Sequence, residues 1–464
     1  MKVNSDPYRR VEVYPHPEEG HRVAVVGCGH VGTVTAACMA ELGHVVTGVD
    51  VDSLLISSLQ ANEVPFVEPG LNELIAKYTS RGRLKFTTSY AEALDGAEYV
   101  FLCVNTPATT TGAADLRYVR RAVAQIAEAC MDFEYEPLIV NKSTSPVGMG
   151  DTIEAILKNT FPPGRSTSAI VANPEFLQEG RGVQDFMHPD RIVIGAHDRK
   201  DAERVALLYA SISAPVIYTD IRSAEMIKYV SNAFLATKVS FVNEIAKLCE
   251  GLGVEVDSVL QGASFDPRIG NLFMKPGVGY GGSCLPKDVA ALCHTGDSAG
   301  LTMRVLSAVQ EVNIGQRKHV VNSIRRALGR LEGMTIAAWG ATFKAGSEDL
   351  RESPAIDVIN LLRNDGARLK VYDPTLGMQQ LDQVADQVCA SPLEAAAGAD
   401  CLAILTDWPE FVHVNLQELR EAMSGRVIYD GRNQLQRSVV EAAGFEYFGV
   451  GRSARAELAP LSGK

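Results

Sequence analysis

Cys284 lies in Gly277-Val278-Gly279-Tyr280-Gly281-Gly282-Ser283-Cys284-Leu285-Pro286-Lys287-Asp288, between a run of glycines and a Lys-Asp pair. A thiol in this setting suits covalent nucleophilic chemistry. Glycines without Cβ let a substrate carbon approach the backbone, a neighbouring cation favours the thiolate, and a carboxylate manages protons. Any single cysteine in a glycine-rich turn is more often an inert buried side chain, so the reading needs support from the rest of the chain.

The second reactive pattern is near the N-terminus, where His21-Arg22-Val23-Ala24-Val25-Val26 predicts a buried strand entering Gly27-Cys28-Gly29-His30-Val31-Gly32 and then an apolar helix. This spacing predicts a dinucleotide turn. The first glycine permits the tight bend, the second lets backbone approach a pyrophosphate, and the third lets helix pack on strand. Orphan N–H groups at the helix start would face the phosphates. The next strand, His44 to Val49, ends in Asp50, whose carboxylate would accept from ribose hydroxyls. Asp50 would repel a 2′-phosphate, and Val51 and Asp52 offer no arginine for one, so NAD is expected as cofactor over NADP.

The elements that must position these groups follow from periodicity. Strands at 99–104, 137–140, 168–172 and 191–195 alternate with helical patterns, which predicts a parallel, doubly wound sheet over 21–218. Ligands of such sheets sit beyond the carboxyl ends of strands, so Asn105-Thr106-Pro107 and Asn141-Lys142-Ser143-Thr144 should border the cofactor and substrate. From Ser223 to Gly251 the apolar period turns helical, and Lys228 and Asn232, four apart, share one face. A second long helix is expected over 301–331. A further βαβ series opens at Met334 and continues through 368–373, 401–405 and 427–430. The expected organisation is an extension at 1–20, an NAD-binding α/β domain at 21–218, a helical central domain at 219–325, a second Rossmann-like α/β domain at 326–452, and a tail at 453–464.

Composition agrees. A chain of 464 residues exceeds one core, and 46% hydrophobic with 22% charged residues is ordinary for a globular protein. The formal net charge of -12 argues against nucleic acid or an anionic membrane as partner. An anionic substrate must then be held by a local cluster of Lys and Arg. Nine scattered cysteines without a CxxC spacing suggest neither a disulfide framework nor a metal site, and point to the reducing cytoplasm. The first twenty residues lack the apolar core of a signal peptide, and no run of eighteen apolar residues occurs.

Taken together the motifs resemble those of the UDP-glucose/GDP-mannose dehydrogenases, over about residues 21–450. The resemblance rests on GCGHVG at 27–32, VEPGL at 67–71, VNTP at 104–107, NKSTSPVG at 141–148, NPEFLQEG at 173–180, the Lys228/Asn232 helix, FDPRIG at 265–270, GYGGSCLPKD at 279–288, FKAGSEDLRESPA at 343–355 and YDGRN at 429–433. It implies a four-electron oxidation of a primary alcohol on a nucleotide sugar to the acid, using two NAD in succession. Cys284 would trap the intermediate aldehyde as a thiohemiacetal, which loses hydride to give a thioester that water hydrolyses. Lys228 with Asn232 would stabilise the oxyanions. Asp288 would position or deprotonate water or the sugar hydroxyl, and Thr144 and Glu175 resemble the residues that hold the hydrolytic water. The general base is left open among Lys228, Glu175 and Asp288.

The resemblance further assigns Gly27, Gly29, His30, Val31, Gly32, Asp50, Thr106, Thr144, Glu179, Lys287 and Arg351 to the cofactor. It assigns Glu175, Phe176, Leu177, Lys228, Asn232, Phe273, Tyr280, Gly281, Lys344 and Arg432 to the nucleotide sugar. Lys344 and Arg432 would supply positive charge for a diphosphate. Arg268 resembles a residue that reaches the neighbouring subunit's substrate, so a homodimer or multiple of dimers is expected, with 219–325 as the interface. Ser283 disfavours an N-acetylated sugar, where His is usual. UDP-glucose is favoured, with GDP-mannose and dTDP-glucose as alternatives. His30 and Asn105 depart from the commoner Tyr and Gly. Two rival readings stand beside this one: a two-electron hydroxyacid dehydrogenase, which explains Lys228 and Asn232 but not Cys284, and a non-catalytic NAD-binding protein.

Overall fold

The computed structural model describes residues 20–131, 133–162 and 168–452, so the extension at 1–20, Gly20 apart, and the tail at 453–464 lie outside the described residues. The chain divides into two compact units, Met1–Ser231 and Asn232–Lys464, and the division falls inside one helix, Ile221–Leu252.

The first unit is built on eight strands: β1 (Arg22–Val26), β2 (Val45–Val49), β3 (Leu84–Thr87), β4 (Tyr99–Leu102), β5 (Leu138–Asn141), β6 (Ile170–Ala172), β7 (Ile192–Ala196) and β8 (Val216–Thr219). Their order in the sheet is β3-β2-β1-β4-β5-β6-β7-β8, so the direction of winding reverses between β1 and β4. Strands here are apolar at successive positions because helices cover both faces. Val23, Val25, Tyr99 and Phe101 enter one core, while Ala24, Val26, Val100 and Leu102 enter the core on the opposite face. That alternation is the two-residue period of a strand.

One pair departs from the expected parallel sheet. β7 runs antiparallel to β6, with Val171 opposite Ala196 and Ala172 opposite Gly195. The segment between them carries only the six-residue helix Gly182–Met187 and does not cross back over the sheet. It stays at the carboxyl edge, where Asn173 accepts from Lys142 after β5 and Gly180 donates to Glu68.

The second unit carries β9 (Thr335–Trp339), β10 (Arg368–Tyr372), β11 (Gln387–Val388), β12 (Cys401–Ile404), β13 (Val427–Asp430) and β14 (Glu446–Gly449), all parallel in the order β11-β10-β9-β12-β13-β14. Trp339 is fully buried against Phe411, their rings 5.2 Å apart. The unit also contains helices Val256–Ser264, Leu285–Ser298 and Arg304–Leu328. The edge strands β3, β8, β11 and β14, each of four residues or fewer, are absent from the sequence reading.

Candidate active site

The glycine-rich turn has the form its sequence requires. Gly27 follows β1 with φ 92°, and Gly29 is the N-cap of helix His30–Glu41. A Cβ on Gly32 would lie 1.7 Å from the Gly27 carbonyl oxygen, so only glycine lets this helix close on the strand. A Cβ on Gly29 would meet nothing within 4 Å, leaving open space at the helix start where a pyrophosphate fits. Asp50, just after β2, accepts the Cys28 N–H at 2.7 Å and the Asp52 N–H at 3.0 Å, which fixes the carboxylate beside the turn. These residues fit a dinucleotide. Val31 is part-buried in the first turn of the helix.

Glu68 joins this turn to the segment after β6 and is missed by sequence reasoning. Buried at 7% exposure, it meets His30 Nε2 at 2.7 Å and accepts the Gly180 N–H at 3.0 Å. It stands in VEPGL, and the only sequence signal was that motif. Glu179 is part-buried next to Gly180.

Further along the same segment, Glu175 and Lys228 form a buried ion pair at 2.9 Å, with 6% and 5% side-chain exposure. The second Glu175 oxygen accepts the Leu177 N–H at 2.6 Å. Burial pushes the Glu175 carboxyl up, but the Lys228 ammonium and the Leu177 N–H outweigh it and hold the group below the usual carboxylate range. Phe176 lies under the Arg191 guanidinium at 3.8 Å, with the Lys228 ammonium 5.5 Å from its ring centre. Leu177 packs on the sheet core. Thr106 donates to the Thr144 carbonyl, which links the loops after β4 and β5. Thr144 and Lys228 line one small pocket together with Asn141, Ser143, Ser145, Ala172, Pro174 and Glu225.

In the second unit Cys284 is the N-cap of helix Leu285–Ser298. The sequence reading treats this stretch as loop; Lys287 and Asp288 are instead in the first helical turn, with Pro286 ahead of them where a missing N–H costs nothing. The Cys284 thiol is part-buried, 3.6 Å from Ser283 Oγ, and stands at the positive end of the helix dipole. Asp288, 1% exposed, is held from two sides: Asn232 Nδ2 donates at 2.5 Å and Lys287 Nζ at 2.6 Å.

The glycines before Cys284 serve packing more than substrate approach. A Cβ on Gly281 would lie 2.2 Å from the Glu352 carbonyl oxygen. Asn313 on helix Arg304–Leu328 accepts the Tyr280 N–H at 2.9 Å and donates to the Tyr280 carbonyl at 3.0 Å. Gln316 donates to the Gly277 carbonyl at 2.8 Å, and Asn243 accepts the Gly277 N–H at 2.8 Å. The buried Asn243, Asn313 and Gln316 therefore hang the cysteine loop from two helices. Polar residues inside helical patterns were the available signal.

Arg432 is part-buried, donating to the Leu405 carbonyl at 2.8 Å and the Phe343 carbonyl at 2.9 Å. Its charge and that of Lys275 offset the burial that would otherwise raise the Asp407 carboxyl, which is lowered. The Lys344 ammonium lies 5.7 Å from the Phe343 ring. Phe273 is 40% exposed with φ 61°, uncommon for a bulky residue. Arg268 and Arg351 are exposed, each forming a bidentate pair with an acid two residues before it, Asp266 and Asp349. Among the described residues no group of three metal-ligating side chains occurs, and no helix is long and apolar enough to cross a membrane.

A Rossmann sheet with a fitted dinucleotide turn, followed by helices and a second sheet of the same winding, defines a dinucleotide-binding α/β protein. Residues 21–213 match the NAD binding domain of the UDP-glucose/GDP-mannose dehydrogenase family, 222–314 its central domain and 337–437 its UDP binding domain. The chain belongs to that family. It is 40% identical over 435 residues to a UDP-glucose 6-dehydrogenase of Bacillus subtilis, covering 93% of this chain and 94% of the relative. A UDP-glucose dehydrogenase structure from Pyrobaculum islandicum superposes with a TM-score of 0.87 at 35% identity, covering 95% of this chain and all of that one. A UDP-D-ManNAc dehydrogenase structure from Pyrococcus horikoshii gives 0.82 at 28% identity, covering 93% of this chain and 99% of that one.

Proposed function

We propose that this protein oxidises the C6 hydroxyl of UDP-glucose to the carboxylate of UDP-glucuronate through a covalent intermediate on Cys284. The observation that carries the reading is the thiol at the head of a helix whose first turn holds Asp288, fixed by Asn232 and Lys287. NAD supplies the hydride acceptor, twice per sugar. In the first oxidation C6 loses hydride and its hydroxyl loses a proton, giving the aldehyde. The Cys284 thiolate adds to the aldehyde carbon, and the Lys228 ammonium serves to stabilise the oxyanion of the thiohemiacetal. Loss of the second hydride leaves a thioester. Water then adds to the thioester carbonyl, the C–S bond breaks, and the acid leaves with the thiol restored. Thr144 and Glu175 hold that water, and Lys228, Glu175 and Asp288 share the proton transfers.

Relatives named for UDP-glucose support the choice of sugar, as does Ser283 in place of the His usual in N-acetyl-sugar enzymes. Arg432 and Lys344 supply the positive charge for the diphosphate, and His30, Thr106, Glu179, Lys287 and Arg351 complete the cofactor site. A second copy of the chain covers the central helix. Phe234, Phe241 and Leu248 are 64%, 54% and 57% exposed at seven-residue intervals, which places them along one stripe. Arg268, exposed in the same unit, reaches the partner's substrate. None of the nine cysteines is in a disulfide, which favours a reducing cytoplasm.

The deciding experiment is NADH formed per sugar consumed, with UDP-glucose, dTDP-glucose and GDP-mannose in parallel. Two NADH per UDP-glucose supports the reading; one, or none with any donor, moves it to a two-electron dehydrogenase or a binding protein.

A further inference from the structure

Glu225 is buried at 5% exposure, three residues before Lys228 on helix Ile221–Leu252. Its two carboxylate oxygens accept the Gly148 N–H at 2.6 Å and the Gly150 N–H at 2.8 Å. Those amides begin helix Met149–Thr160, whose N-cap, Gly148, has no side chain to cap it. Glu225 thus caps in trans the helix that ends the Thr144 loop. The seam is tight on both sides: a Cβ on Gly150 would lie 2.5 Å from Ile221 Cγ2, and Arg222 pairs with Asp151 at 2.6 Å. Glu225 lines the same pocket as Thr144 and Lys228, and Lys228 forms its ion pair with Glu175.

We propose that Glu225 is a positioning residue for the oxidation, its carboxylate holding the Thr144 loop in register with Lys228. The proposal rests on the function assigned above and adds to it the part that sets Thr144. The loop is anchored at its start by β5 and at its end by these two hydrogen bonds. A protonated carboxyl retains one good acceptor, so one amide is released. Burial pushes this carboxyl up to about 7, with Asp151 adding to the rise and the amides of Gly148, Gly150 and Met149 opposing it. The charged groups around it are Asp151 on the capped helix and Arg222 and Lys228 on its own, the last neutralised by Glu175 from the segment after β6. The register is therefore set by a group that burial pushes up to about 7.

Glu225→Gln tests this, because the amide replaces one acceptor with a donor. Ionisation of a carboxyl whose folded pKa is raised costs the fold, so neutral Gln relieves that cost above pH 7 and the unfolding midpoint at pH 8 is retained. We expect kcat with UDP-glucose to fall roughly tenfold at pH 8 with KM for NAD little changed. The decline of wild-type kcat below pH 7 should be absent from the variant. Protection of the Gly148 and Gly150 amides from hydrogen exchange in the wild type, read without turnover, should weaken as pH falls through 7. Equal kcat and equal pH profiles would overturn the tether alone, as would pH-independent amide protection if the variant fails to fold. No turnover by the wild type would overturn the underlying function as well.

Discussion

Asn232 donates to Asp288 across 56 positions of sequence, at 2.5 Å and inside a buried environment. A buried carboxylate needs donors, and here a helix amide and an adjacent lysine provide them. Asn232→Leu leaves one Asp288 oxygen without a partner. We expect a loss of about 1–3 kcal/mol in stability by denaturant unfolding, together with a fall in kcat.

Glu175→Gln breaks the other buried pair and removes the carboxylate charge against which the Lys228 ammonium is buried, which costs about 3–5 kcal/mol. The Glu175 carboxyl is lowered in the fold, burial opposing and Lys228 prevailing. Its contribution is therefore complete above the ordinary value of 4.5 and lost as pH falls below that. The stability gap between wild type and Glu175→Gln, followed by unfolding from pH 7 downward, should shrink only below 4.5.

Cys284→Ser should abolish formation of the acid. Its hydroxyl is a weak nucleophile, so the aldehyde is not carried to a thioester. The measurement is product analysis with NADH counted per sugar; full two-NADH turnover by the variant would discard the covalent route.

Gly29→Ala and Gly32→Ala should separate binding from folding. The first adds a methyl to open space and is expected to fold normally while raising the Kd for NAD at least about tenfold. The second drives a methyl into the Gly27 carbonyl and should lower the melting temperature too. Calorimetry and cofactor titration on both variants check this.

Phe234→Glu places a charge in the middle of the exposed stripe on the central helix. If a second copy covers it, sedimentation should show smaller species at concentrations where the wild type is associated.

Much of the fold was legible in sequence because buried parallel strands are apolar at every position and glycine punctuates the turns between them. The dinucleotide turn was legible for the same reason: Gly27 and Gly32 are required by local sterics, Gly29 leaves the helix start open, and Asp50 follows at a fixed distance along the chain. Cys284, Lys228 and Asp288, to which we assign the chemistry, were visible as residue types within motifs. Tertiary structure alone decided how they are held. Glu68, Glu225 and Asn313 look like ordinary polar residues in sequence, and each acquires its role from backbone amides far away in the chain. The antiparallel entry of β7 likewise depends on where its connecting segment lies, which periodicity does not encode. Local sterics write themselves into spacing, whereas a hydrogen bond between distant segments leaves no period in either one.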